Sequence, residues 1–117
     1  MSKPHHKLDV WKKAIAFVKT VYQIAGVFPG DEKFGLVSQM RRAAISIPSN
    51  ISEGAGRNNT KEFSQFLGIA QGSAAELETQ LIISGELGFL EQKRVDEMIQ
   101  DLDIVSKMII GRKRSLQ

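Results

Sequence analysis

Apolar positions recur along this chain at steps of three and four, and no stretch alternates with period two for long enough to form a strand. Each run of such steps is one face of a helix. The first run takes Asp9 as its N-cap and carries Val10, Trp11, Ala14, Ile15, Val18, Val21, Tyr22 and Ala25 as one buried stripe. Phe28-Pro29-Gly30 closes it, and Lys12, Lys13 and Lys19 fall largely outside the stripe.

A second helix is predicted to begin between Glu32 and Gly35 and to bury Leu36, Met40, Ala43 or Ala44, Ile47 and Ile51. Pro48 interrupts this pattern. Proline has no N–H to bond the carbonyl of Ala44, so a kink is predicted at Pro48 while the apolar phase carries on to Ile51. Gly54 and Gly56 are predicted to supply the left-handed residues that end the helix.

The third helix starts at Asn59. With Glu62 three residues on, Asn59 resembles the first member of a capping box. Phe63, Phe66, Leu67, Ala70, Ala74, Leu77, Leu81 and Leu87 follow up to Gly88, a rod of roughly 28 residues and about 40 Å. Gly68 and Gly72, four apart, leave a groove that predicts close approach of a neighbouring helix. After the link Phe89-Leu90-Glu91, a last helix carries Val95, Ile99, Leu102, Val105 and Ile109 and frays from Gly111. Four helices joined by short links predict an all-α, antiparallel up-and-down four-helix bundle. Residues 1–117 then form a single domain, with 1–8 a mobile segment and 112–117 a frayed basic tail.

Several aliphatic residues lie off these stripes: Ile45 on the second helix, Ile69 and Ile83 on the third, Ile104 and Met108 on the fourth. Burying one such side chain is worth roughly 1.5–3 kcal/mol, so a set of them left on the surface predicts a homo-oligomer.

Composition adds exclusions. With 117 residues, 42% hydrophobic and 25% charged, the chain has the balance of an ordinary globular domain. The absence of cysteine removes disulfides, thiolate metal sites and thiol nucleophiles. The opening residues lack the apolar core of a signal peptide, and nothing reaches the roughly 20 apolar residues of a membrane span, so a cytoplasmic protein is expected. The formal charge of +3 is unevenly spread. Residues 1–59 hold nine Lys and Arg against four Asp and Glu, whereas 60–117 hold seven against nine, with Lys107, Arg112, Lys113 and Arg114 near the end. Such a basic half suits a phosphate backbone, and paired basic and acidic faces suit self-association.

Catalytic groups are scarce. His5 and His6 are the only imidazoles and stand side by side, without further ligands for a metal. No nucleophile elbow, phosphate loop or dinucleotide fingerprint occurs, and Glu76 and Glu78 lack the histidine of a di-iron motif. No enzymatic activity, cofactor or metal is expected. The polar cluster that remains is Arg41, Arg42, Ser49, Asn50, Glu53, Arg57, Asn58 and Asn59. It reads either as a guanidinium patch for phosphate beside the Asn59 helix start, or as internal satisfaction, with Glu53 paired to an arginine and Asn50 serving carbonyls freed by Pro48.

The same stretch carries a resemblance. Phe34-Gly35-Leu36, Gln39 to Ala44, Ile47 to Ile51, Glu53-Gly54 and Gly56-Arg57 resemble the signature of the four-helix-bundle proteins encoded in intervening sequences of bacterial 23S ribosomal RNA genes. Phe66 to Ala70, Gly72-Ser73, Glu76 to Thr79 and the opening Leu8 to Tyr22 are similar too, so the likeness spans nearly the whole chain. Met40, where leucine is expected, and Ala55, where a bulkier residue is common, depart mildly from it. The resemblance implies a helical protomer in a ring-like homopentamer. The chain is also similar to accessory variability proteins of diversity-generating retroelements, basic barrels that engage nucleic acid and a reverse transcriptase.

The resulting expectation is a non-enzymatic oligomeric scaffold binding RNA or another polyanion. Its contact candidates are Arg41, Arg42, Arg57, Lys61, Lys12 and Lys13, and its motif positions of structural weight are Pro48, Asn50, Glu53, Gly54, Gly68 and Gly72. The alternative is an adaptor that recruits a protein partner, such as a reverse transcriptase, without touching nucleic acid.

Overall fold

The computed structural model describes residues 3–117. Four helices account for most of them: α1 (Asp9–Ala25), α2 (Leu36–Ala55), α3 (Thr60–Glu86) and α4 (Gln92–Ser115). No strand occurs among the described residues. Sequential helices pack as neighbours and α4 closes back on α1, while the backbones of the diagonal pairs α1/α3 and α2/α4 stay more than 8 Å apart between Cα atoms among the described residues. The result is a four-helix bundle with two poles. The 26–35 and 87–91 links share one pole, where the rings of Phe28 and Phe89 lie 5.5 Å apart. The start of α1, the α2–α3 turn and the end of α4 share the other.

The core runs the length of the bundle through Val21, Met40, Ile47, Ile51, Leu67, Leu77, Leu81, Met98, Leu102 and Ile109, all fully enclosed. On α1 the buried stripe is Val10, Ala14, Phe17, Val21, Ile24 and Ala25. That corrects the sequence expectation. Trp11 and Val18 are half-buried, Ile15 and Tyr22 are exposed, and Phe17 and Ile24 take the inward positions. The two stripes lie about one position apart, and periodicity alone does not say which one a neighbour covers.

The helix ends bring further corrections. Leu8 occupies the N-cap of α1, and Asp9 is its first helical residue. α2 continues through Pro48 to Ala55, and Pro48 is buried within it. Asn50 donates to the Ser46 carbonyl at 2.8 Å and to the Ser46 hydroxyl at 3.0 Å, not to the Ala44 carbonyl that Pro48 leaves without an N–H donor. Neither Gly54 nor Gly56 is left-handed; among the described residues only Gly88, after α3, has a positive φ, at 77°. Gly54 serves contact instead, since a β-carbon there would lie 2.8 Å from Phe66 Cβ and 2.9 Å from Phe63 Cδ1.

At Gly72 nothing stands within 4 Å of the position a β-carbon would take, and Gly68 meets only the tip of Lys113, so this pair is not the predicted helix contact. α4 stays helical through Gly111 to Ser115, so most of the expected frayed tail is ordered. Pro4–Lys7 forms a 3-10 turn that sets His5 and His6 against Trp11, at ring separations of 5.0 and 5.4 Å, instead of hanging free. Residues 1–2 of the expected mobile segment lie outside the described residues.

Candidate nucleic-acid interface

Antiparallel connection is what assembles the basic residues. α2 descends to Ala55 and α3 rises from Thr60, so the short turn holding Arg57, Asn58 and Asn59 lies at the pole where α4 ends. Asn59 sets that turn, its Oδ1 accepting the Glu62 N–H at 2.8 Å as an N-cap. The missing side chain at Gly54 lets Phe63 and Phe66 pack hard against the end of α2. Those two rings support the site. The Arg57 guanidinium stands 4.9 Å from the centre of the Phe66 ring, and the Arg112 guanidinium 5.7 Å from that of Phe63. A guanidinium over a ring face is held in place yet keeps N–H donors at its edge, the form that grips a phosphate bidentately.

Around this pair stand Lys61 on the first turn of α3 and Lys113 and Arg114 on the last turn of α4. Lys7 and Arg112 line a shared open groove with Leu8, Met108 and Ser115, which ties the chain start to the end of α4. Lys3 lies at the same pole, with Lys12 and Lys13 within a turn or so along α1. The acids there are Asp9, Glu53 and Glu62, and Glu53 already pairs with Arg57 at 3.1 Å. The opposite pole has no such excess of bases, with Asp31, Glu32, Glu86, Glu91, Asp96 and Glu97 against Lys33, Arg41, Arg42, Lys93 and Arg94. The charge asymmetry visible along the chain is therefore an axial one in the fold.

The predicted cluster divides accordingly. Arg57 and Lys61 are at the basic pole and Lys12 and Lys13 border it. Arg41 and Arg42 sit sixteen and fifteen residues before Arg57, about 24 Å up the bundle at 1.5 Å per residue. Arg41 is half-buried with its guanidinium 4.6 Å from the Tyr22 ring centre, and its Nε has no hydrogen-bond partner among the described residues. Arg42 is exposed. Glu53 pairs with Arg57 rather than with either of them. Arg112, Lys113 and Lys7 are the members that reading along the chain missed. The basic run near the C-terminus was visible, but its neighbours depend on helix direction. No group of three or more His, Cys, Asp or Glu side chains placed to hold a metal occurs among the described residues. No helix among them is long and apolar enough to cross a membrane.

Residues 6–111 match the 23S rRNA-intervening sequence protein family. The chain belongs to that family. A crystal structure of a protein of unknown function from the S23 ribosomal protein family, from Bacteroides thetaiotaomicron, superposes with a TM-score of 0.83. The match covers 90% of this chain and 95% of that one at 22% identity, a likeness of fold alone. No protein of curated function matches the chain. The span matched to the 23S rRNA-intervening sequence protein family includes the whole stretch from Phe34 to Arg57. Within that family pattern, Gly54 and Asn50 have packing and hydrogen-bonding tasks, whereas among the described residues the bases of the basic pole have no ion-pair partner but Glu53.

Proposed function

We propose that the protein is a non-enzymatic, self-assembling cytoplasmic scaffold that binds RNA or another polyanion through its basic pole. The observation that supports this reading is the convergence of Arg57, Lys61, Arg112, Lys113 and Arg114 on one end of the bundle, with two guanidiniums fixed over phenylalanine rings. Binding of this kind reads phosphate rather than base. The aromatic faces near the pole are already taken: Phe66 by Arg57, Phe63 by Arg112 and Trp11 by His5 and His6. Self-assembly is supported by Ile45, Ile69, Ile83 and Ile104, each between 42% and 52% exposed. A homopentamer is the form the family resemblance favours.

The test is a salt titration of affinity for an RNA duplex and for heparin. Removing one phosphate-binding side chain should lower the slope of log K against log salt by about one, alike for unrelated sequences. Arg112→Ala and Arg57→Ala should each do so, and Lys93→Ala at the other pole should not. Unchanged slopes in folded Arg57 and Arg112 variants would remove the basic pole from the binding surface.

A second reading, a protein-recruiting adaptor, is favoured by the link pole, where Phe34 is 90% exposed, Val27 76% and Leu87 58%. It predicts that the purified protein binds no polyanion at all at physiological salt.

A further inference from the structure

We infer that the groove between the start of the chain and the end of α4 seats an unpaired base of a single-stranded nucleic acid. This rests on the polyanion binding proposed above and names the form of polyanion that the basic pole prefers. The groove holds a space of about 420 Å³, within the usual size of a small-ligand site, and opens to solvent at the basic pole. Met108, Gly111 and Arg112, at steps of three and four, lay one face of α4 along it. Lys7, Leu8 and Asp9 line the other side, where the 3-10 turn runs into α1. Leu8 and Met108 are half-buried against the core and make an apolar floor, while Lys7, Asp9 and Arg112 stand exposed around it.

Two cations, an apolar floor and one carboxylate suit a nucleotide better than a simpler anion. A bare phosphate would pair with Lys7 and Arg112, gain nothing from Leu8 and Met108, and be repelled by Asp9. A duplex presents its phosphates outward and keeps its bases stacked and paired, so it reaches the cations and leaves the floor uncovered. An unpaired nucleotide lays its base on the floor and sets its phosphate against Arg112 and Lys7. It then turns an amine of the base toward the Asp9 carboxylate, as carboxylates accept from the N4 amine of cytosine. Gly111 keeps that seat open. Nothing stands within 4 Å of the position its β-carbon would take, although glycine is a poor residue for a helix that runs on to Ser115. An aliphatic floor also suits this pole because its rings are occupied, Phe63 by Arg112, Phe66 by Arg57 and Trp11 by His5 and His6.

The experiment measures, by fluorescence anisotropy at one salt concentration, binding of the full chain to a short oligocytidylate RNA and to an RNA duplex with the same number of phosphates. Circular dichroism shows that each variant is folded. Wild type should bind the single strand at least fivefold more tightly than the duplex. Gly111→Met puts a side chain into the groove, changes no charge and meets open space, so the fold should tolerate it. It should lower single-strand affinity at least fivefold and leave duplex affinity unchanged. Gly72→Met, at an open glycine of α3 outside the groove, should change neither. A wild type that binds neither probe would overturn the polyanion reading and this inference with it. Equal affinity for the two probes, or single-strand binding indifferent to Gly111→Met, would overturn the inference alone. So would an equal loss on both probes in Gly111→Met, since the groove would then hold backbone phosphate and not a base.

Discussion

Gly54 of α2 and Phe66 of α3 stand so close that a β-carbon on the glycine would come within 2.8 Å of the Phe66 Cβ. The contact sits where the chain turns from one helix to the next, and it fixes the rings on which Arg57 and Arg112 rest. Gly54→Ala should therefore destabilise the fold, although alanine is the better helix former. Overpacking typically costs about 1–3 kcal/mol, against a helix-propensity gain of about 1 kcal/mol. Gly72→Ala is the control, because nothing lies within 4 Å of the added carbon. It should stabilise by up to about 1 kcal/mol. Thermal unfolding of the two variants should shift in opposite directions; a rise for both would mean that α2 and α3 are not in this contact.

Asn59 is the one side chain at the α2–α3 turn that closes a helix end, through its 2.8 Å bond from the Glu62 N–H. Asn59→Ala should cost about 1 kcal/mol in a denaturant titration, and Asn59→Asp or Asn59→Ser should recover most of it. A loss shared equally by alanine, aspartate and serine would point to something other than capping.

The hydroxyls of Ser46 and Ser73 lie 2.8 Å apart across the α2–α3 interface, and Asn50 donates to the same Ser46 oxygen. This half-buried polar link fixes the register of the two helices. A double-mutant cycle of Ser46→Ala and Ser73→Ala should give a coupling of roughly 0.5–1 kcal/mol. A coupling near zero would show that the two hydroxyls are better served by water.

Glu53 restrains the basic pole. Its carboxylate holds Arg57 at 3.1 Å with both side chains largely in solvent, so the pair adds only about 0.3–0.5 kcal/mol to stability. It does, however, set a negative charge beside a phosphate-binding guanidinium. Glu53→Gln should leave thermal stability nearly unchanged while tightening polyanion binding several-fold at low salt, an advantage that fades as salt rises. Weaker binding by this variant would mean that Glu53 orients Arg57 productively rather than competing with phosphate.

Much of this protein is written along the chain. Four helices, their links, the Asn59 cap and the exposure of Ile45, Ile69, Ile83 and Ile104 all follow from local spacing, because a helix imposes its own period of 3.6 on whatever it buries. What local spacing did not decide was which of two adjacent stripes on α1 faces the core. Trp11, Ile15, Val18 and Tyr22 are as regular as Val10, Ala14, Phe17 and Val21, and only the position of α2 and α4 makes the second set the interior. Nor did it decide the basic pole. Arg41 and Arg42 are near Arg57 in sequence yet about 24 Å away along α2, whereas Arg112 is remote in sequence and stands over Phe63, one turn of α3 from the Phe66 ring that supports Arg57. Neighbourhood along a helix grows with residue number, while neighbourhood across a bundle depends on the direction in which each helix runs, and that is settled only when all four pack together.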